Sequence, residues 1–310
     1  DQFTERFQWQ KLNKKRTGFL WAMTGMAAAQ MRDINNLVEL VGNYETEYCK
    51  ERKYPLYTGE AGWICMECVK MYELYERKTE DIKELLDEVR EGKLKGLNVT
   101  IPYKIEVMKY LDTLSKEASA IGAVNTVAYK NGELGGYNTD YYGFWETMKV
   151  NNLEVEGKRI LILGTGGAAK AIYGTLTALN VDTVYLASIE KDDRFKIRNK
   201  DNIINYVDIK NLENIEGIIN CTPVGMYPQV DNLPLANDSF IPVKYLIDVI
   251  YNPEETALME KYASMGVKTI NGLMMLVVQA VRSEEIWNDM EADEKIIKEI
   301  YEDVRKILYK

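Results

Sequence analysis

The chain has 310 residues, 46% of them hydrophobic, which is enough for two domains with cores of their own. A formal net charge of −9 and a pI near 5.0 argue against nucleic acid as a main partner, and no apolar run reaches the length that spans a bilayer. Histidine is absent, so Ser-His and Cys-His nucleophilic machinery is excluded and any general acid or base must be a lysine, carboxylate, tyrosine or cysteine.

The first fifty residues are aromatic-rich and basic at 14–16, with one helical pattern in "MRDINNLVELVG". From Lys11, "KLNKKRTGFLWAMTGMAAAQ" has the basic, apolar and small-residue succession of a secretory signal. We read it instead as a buried strand, "GFLWAM", followed by a helix. The cysteines are Cys49, Cys65, Cys68 and Cys221. "CMEC" has zinc-like spacing, but one CxxC with no histidine does not make a metal site. It reads as two half-buried thiols on a helix in a reducing cytoplasm.

From Tyr72 the pattern is clearer. "YELYE" is a short strand, Thr79 is placed to cap a helix through "EDIKELLDEVR", and Gly92 and Gly96 lead into a strand ending at Asn98, a βαβ unit. In "NVTIPYK", Pro102 fixes its own φ and pushes Ile101 out of the helical region, so the segment is extended and then turns. Asn98, Thr100 and Lys104 therefore fall at a strand end or on the loop after it, a position suited to a site. A single helix is expected over "IEVMKYLDTLSKEASAIG", and then a hairpin around Asn131-Gly132 within "AVNTVAYKNGELGGYNTD".

A second pattern starts near Gly157. "KRILILGTGGAAKAIYGTLTAL" is a strand, a glycine-rich turn and a helix; "VDTVYLAS", "GIINCT" and "KYLIDVIY" are further short apolar strands. Strands alternating with helices imply a parallel, doubly wound sheet. The stretch from Asn271 to the C-terminus reads as helical, with two amphipathic segments.

"GTGGAA", Gly164 to Ala169, follows a strand and opens a helix, so its glycines let backbone approach a pyrophosphate at a helix N-terminus. The spacing departs from G-x-G-x-x-G, and a tight βα turn with nothing bound is the alternative. Asp140, in "GGYNTDYYGF", is either a turn or cap residue or a partner that orients the Lys104 ammonium.

"NVTIPYK", "IGAVNTV", "GYNTDYYGF", "GTGGAAKA", "INCTPVGMYP", "DVIYNPEET" and "NGLMMLVVQA", in that order, resemble the shikimate dehydrogenase family over roughly Tyr72 to Asn288. The resemblance implies an α/β chain in two domains: a substrate-binding domain over residues 1–138, completed by 272–310, and a Rossmann-like dinucleotide-binding domain over 139–271. It implies reversible NADP-dependent reduction of 3-dehydroshikimate to shikimate by a cytoplasmic enzyme whose partners are small molecules. By position, Lys104 and Asp140 would be catalytic. Asn98, Thr100, Asn125, Tyr251 and Gln279 would surround the substrate. Gly164, Gly166, Gly167 and Ala168 would hold the cofactor phosphates, with Gly272 near the nicotinamide.

Two departures from the family stand out. No serine precedes Ser115, so the Ser-x-Ser pair that holds the substrate carboxylate is missing; Thr58, Thr17, Thr24 and Tyr57 are the available replacements. After "VYLAS", where the family has an Asn-Arg-Thr-like loop, this chain reads "SIEKDDR". Glu190 there suits a ribose 2′-hydroxyl and hence NAD, whereas Lys191 or Arg194 suits a 2′-phosphate. The alternatives are an NAD-dependent dehydrogenase of quinate type and a non-catalytic nucleotide-binding homologue.

Overall fold

The computed structural model describes residues 81–309 apart from 101, 190–194 and 196. The expected elements before residue 81, with Cys49, Cys65, Cys68, Thr17, Thr24, Tyr57, Thr58 and Thr79, lie outside the described residues, as do Glu190, Lys191 and Arg194. The chain divides into two compact units, 1–81 with 291–304, and 82–290 with 305–310. Helix α7, Glu294–Leu308, contributes to each; the other elements belong to the second unit.

Helix α1, Ile82–Arg90, buries Ile82, Leu86 and Val89 at the spacing of one helical face. It covers a four-stranded sheet whose strands are β1 (Gly96–Asn98), β2 (Thr113–Leu114), β3 (Thr126–Lys130) and β4 (Glu133–Tyr137), in the order β1-β3-β4-β2. The hairpin joins β3 to β4 as expected, with Asn131 at φ 54° and Gly132 at φ 88°. Both angles lie in the left-handed region that Asn-Gly tolerates.

The single helix expected over 105–122 is instead a 3-10 turn (Glu106–Tyr110), then β2, then helix α2 (Lys116–Ile121). Tertiary bonds override the helical periodicity here. Asp112 Oδ2 accepts the Leu134 N–H at 2.7 Å, β2 pairs with β4, and Ser115 caps α2 by accepting from the Ala118 N–H.

Helix α3, Thr139–Val150, leads to the second sheet. This sheet is wholly parallel, in the order β10-β9-β8-β5-β6-β7, with strands β5 (Arg159–Leu163), β6 (Thr183–Ala187), β7 (Asn202–Ile204), β8 (Gly217–Asn220), β9 (Tyr245–Asp248) and β10 (Lys268–Ile270). Along β5, Ile160 and Ile162 enter one core with Phe144 and Ile172, and Leu161 and Leu163 enter the other with Ile218 and Tyr262. A strand buried on both faces is why "RILIL" reads as an unbroken apolar run. Helices α4 (Gly167–Ala178) and α5 (Ala257–Ser264) flank this sheet, and α6 (Leu273–Asn288) follows β10.

The chain reverses its direction of winding between β5 and β8, which leaves a crevice beyond the carboxyl ends of those strands. One buried carboxylate organises the adjoining edge. Asp248 accepts from Asn220 Nδ2 at 3.0 Å, the Ile250 N–H at 3.1 Å and Thr256 Oγ1 at 2.7 Å, and so shapes the loop that carries Tyr251.

Helix α6 packs along α3 at a close backbone approach: a Cβ on Gly143 would lie 2.5 Å from the Met275 carbonyl oxygen. Gly143→Ala must therefore push the two helices apart, and we expect a loss of about 1–3 kcal/mol in stability by thermal or urea unfolding. An unchanged unfolding curve would show that the helices are not packed as described.

Burial raises the Asp248 carboxyl from its ordinary 3.8 to about 6, outweighing the three hydrogen bonds that favour the charge. The folded chain thus holds a proton that the unfolded chain has released. The contribution of this group to stability is complete below about pH 4 and is lost as pH rises through about 6. Between pH 4.5 and 7 the wild type is expected to lose melting temperature relative to Asp248→Asn. A constant difference between the two across that range would contradict the burial argument.

Candidate functional site

Two backbone stretches bring the reacting candidates together. After β1 the chain turns at Pro102, where the Tyr103 N–H donates to the Thr100 carbonyl at 2.9 Å. The Lys104 carbonyl then accepts from the Val124 N–H at 2.8 Å, which fixes this turn beside the start of β3. On the other stretch, Asn138 caps α3 by accepting from the Tyr141 N–H, so Asp140 stands in the first helical turn. Lys104 Nζ and Asp140 Oδ2 meet at 2.7 Å with side chains only 17% and 12% exposed. A cation and an anion held this far out of water give a directed proton donor with a fixed counter-charge.

The Asn125 side chain is hydrogen-bonded through both its oxygen and its nitrogen. Its Oδ1 accepts from the Thr139 N–H at 2.7 Å and from Thr126 Oγ1 at 3.1 Å, while its Nδ2 donates to Thr139 Oγ1 at 3.0 Å. Asn98 turns its amide nitrogen toward the Asn125 carbonyl, Thr126 Oγ1 and Ser283 Oγ at 3.3, 3.2 and 3.0 Å. Gln279, on α6, is buried and donates from Nε2 to the Leu276 carbonyl at 2.8 Å. Thr126, Thr139 and Ser283 were not singled out as site residues from the sequence. Their one signal was the four-residue step from Gln279 to Ser283, which puts both on one helical face.

Thr100 and Tyr251 are not hydrogen-bonded into this cluster through the contacts described above. Thr100 stands exposed at the turn. Tyr251 is half-buried; burial pushes its phenol up, and its carbonyl accepts from the Tyr309 hydroxyl at 2.5 Å.

At the crevice, Gly164 has φ +94° and donates its N–H to the Ala187 carbonyl at 2.8 Å. Gly166 then caps α4, whose first residues are Gly167 and Ala168. A Cβ on Gly166 would meet nothing within 4 Å, so there is open space in front of the first-turn N–H groups of a 12-residue helix. That combination fits a dinucleotide pyrophosphate. Beside it, Thr165 Oγ1 and Ser188 Oγ lie 3.3 Å apart at the ends of β5 and β6. Gly272 has a different role: its N–H donates to the Ile250 carbonyl at 2.9 Å, and a Cβ there would lie 2.0 Å from the Val249 carbonyl oxygen. Only glycine lets the start of α6 approach the loop after β9 so closely. Among the described residues no cluster of Cys, Asp or Glu is arranged to hold a metal ion, and no helix is long and apolar enough to cross a membrane.

Known proteins resemble this chain in sequence and fold. Residues 66–127 match the family model described as the shikimate dehydrogenase substrate binding domain. A shikimate dehydrogenase (NADP(+)) from Clostridium beijerinckii is 40% identical over 232 residues, covering 74% of this chain and 85% of the relative. The crystal structure of shikimate dehydrogenase 1 from Peptoclostridium difficile superposes with a TM-score of 0.70 at 41% identity, over 76% of this chain and 87% of that one. The shikimate 5-dehydrogenase of Listeria monocytogenes, solved with shikimate and NAD, gives 0.65 at 32% identity over 73% of this chain and 84% of that one. With relatives this similar over most of their length, the chain belongs to the shikimate dehydrogenase family.

Proposed function

We propose that this chain reversibly reduces 3-dehydroshikimate to shikimate with NADP, using Lys104 and Asp140 as the groups that handle the proton. The observation that carries the proposal is the Lys104–Asp140 contact at 2.7 Å, close to the polar cluster of Asn98, Asn125 and Gln279. The cofactor reading is supported by the open, glycine-lined start of α4 and by the NADP named for the Clostridium relative. The shikimate bound to the Listeria enzyme supports the substrate.

A dinucleotide whose phosphates are held at the glycine turn would supply or take up the hydride; the protein must manage the hydroxyl proton. In the reducing direction the Lys104 ammonium donates a hydrogen bond to the ketone oxygen, stabilises the alkoxide as it forms and delivers the proton. In the oxidising direction the lysine takes that proton back. Asp140 fixes the direction of the ammonium and offsets its charge. With the same site, Asn98, Thr100, Asn125, Tyr251 and Gln279 are assigned to the substrate ring, and Gly164, Gly166, Gly167 and Ala168 to the phosphates. Gly272 is assigned to the wall near the nicotinamide.

For the domains we assign 1–138 and the helices from 272 to the substrate side and 139–271 to the cofactor side. The family-model match over 66–127 and the parallel sheet from Arg159 to Ile270 support this division. A cytoplasmic setting fits the free thiol of Cys221 and the small, charged substrate. NAD is the second cofactor reading, favoured by Glu190 after β6 and by the NAD in the Listeria structure.

Lys104→Ala is expected to reduce turnover by roughly 10²–10⁴-fold while cofactor affinity, read by fluorescence titration, stays within about twofold. A parallel loss of cofactor binding would refute the assigned role, and unchanged turnover would remove the enzyme mechanism altogether.

A further inference from the structure

We propose that Ser283, on α6, is a positioning residue for the Lys104–Asp140 pair. The proposal rests on the reading of that pair as the reacting groups.

Ser283 is fully buried. Its Oγ lies 3.0 Å from Asn98 Nδ2, 2.9 Å from Thr126 Oγ1, 3.3 Å from Thr139 Oγ1 and 3.1 Å from the Gln279 carbonyl oxygen. A serine hydroxyl has one hydrogen and two acceptor lone pairs. Donation to the Gln279 carbonyl and acceptance from Asn98 leave one lone pair for a threonine hydroxyl. Thr126 and Thr139 meet at 3.3 Å and both reach Asn125 Oδ1, so their hydrogens are divided between Ser283 and Asn125. Four separate stretches of chain thus converge on one oxygen: β1, β3, the first residue of α3, and α6 itself.

Each reacting candidate is a short step from this cluster, Asp140 by a peptide bond and Lys104 through a backbone hydrogen bond. Asp140 directly follows Thr139. The Lys104 carbonyl is tied to the Val124 N–H, and Val124 directly precedes Asn125. The cluster therefore fixes the two backbone stretches whose side chains meet at 2.7 Å. Ser283 adds α6 to that frame, and with it Gln279, one turn away on the same helix. Trp287 repeats the attachment one turn further on, donating from Nε1 to the Val127 carbonyl at 2.9 Å across Gly96, where a Cβ would come within 2.1 Å of the indole.

Burying so many hydroxyls and amides confers little stability that aliphatic packing would not supply. Its distinctive effect is directional, because a network whose members must all be satisfied admits one register between α6, α3 and the sheet. Removing the Ser283 hydroxyl takes from Asn98 Nδ2 the nearest of its three acceptors and from Thr126 Oγ1 its partner at 2.9 Å, and so frees α6 to shift. Displacements well under 1 Å matter to a proton transfer geometry, and a 1 Å error can cost about 10²-fold.

The test compares Ser283→Ala with Thr175→Ala, a buried threonine on α4 that bonds only within its helix, to the Ala171 carbonyl at 2.9 Å. Melting temperature, kcat, and KM for NADP and for shikimate are measured on both. The expected result is a melting temperature lowered by a few degrees in both variants, kcat reduced about 10- to 100-fold in Ser283→Ala alone, and an unchanged KM for NADP. Ser283→Cys, which keeps the volume and weakens the hydrogen bonds, should fall between the wild type and alanine, and it replaces the alanine variant if that one does not fold. Unchanged kcat in the serine variants, or an equal loss in Thr175→Ala, overturns the proposal. Full turnover in Lys104→Ala would instead overturn the assignment of the reacting pair, so the two failures are separable.

Discussion

A lysine ammonium and an aspartate carboxylate 2.7 Å apart, each less than one-fifth exposed, are costly groups to hold together. Their mutual attraction offsets desolvation only where geometry is fixed from outside the pair, and an ion pair of this kind is weak evidence for stability. Here the geometry is fixed by backbone. The Lys104 carbonyl is tied to Val124, and Asp140 is held in the first turn of a helix capped by Asn138, whose Nδ2 donates to the Ala123 carbonyl at 2.9 Å. The turn at Pro102 and the start of α3 are positioned by the same short stretch before β3, Ala123 and Val124. Both partners are thus held through backbone on either side of their contact, as the proposed role for the pair requires.

Helix α6 is the element that joins this arrangement to the cofactor side. At its start, Gly272 lies against the Val249 carbonyl, on the loop held by Asp248. In its first turn Met275 meets Gly143 of α3, in its middle Ser283 enters the polar cluster, and near its end Trp287 reaches β3. A single helix thus touches the loop beyond β9, the helix that carries Asp140 and the sheet that leads to Lys104. Its buried residues Leu273, Met275 to Val278, Ala280 and Val281 explain why "LMMLVVQAV" is apolar on nearly every face.

Much of this was legible in the sequence where local chemistry decides the outcome. "RILIL" followed by "GTGG" could only be a buried strand entering a glycine turn, and Asn131-Gly132 specified a hairpin through the left-handed region. The segment 105–122 misled because its apolar spacing is helical, whereas Asp112 and Ser115 are used by a sheet edge and a cap that periodicity does not show. Strands β7 and β10 were missed because three residues at a sheet edge carry almost no pattern. At the site, Lys104, Asp140 and the glycine turn stood out by resemblance. Thr126, Thr139 and Ser283 did not, since a small hydroxyl has no distinctive spacing and takes its meaning from partners brought together only by folding.

The departures in the sequence concern one end of the substrate and one end of the cofactor: no serine stands before Ser115 to hold a carboxylate, and no arginine directly follows Ser188 to meet a 2′-phosphate. Both bear on what binds and leave the Lys104–Asp140 contact intact. The central claim is that this pair and this glycine turn act on one substrate together. The most direct test is nicotinamide reduction at 340 nm on mixing the purified chain with shikimate, run side by side with NADP and NAD. Shikimate-dependent reduction, faster with NADP, is the predicted result. No reduction with either cofactor, in folded protein that still binds the nucleotide, would contradict it.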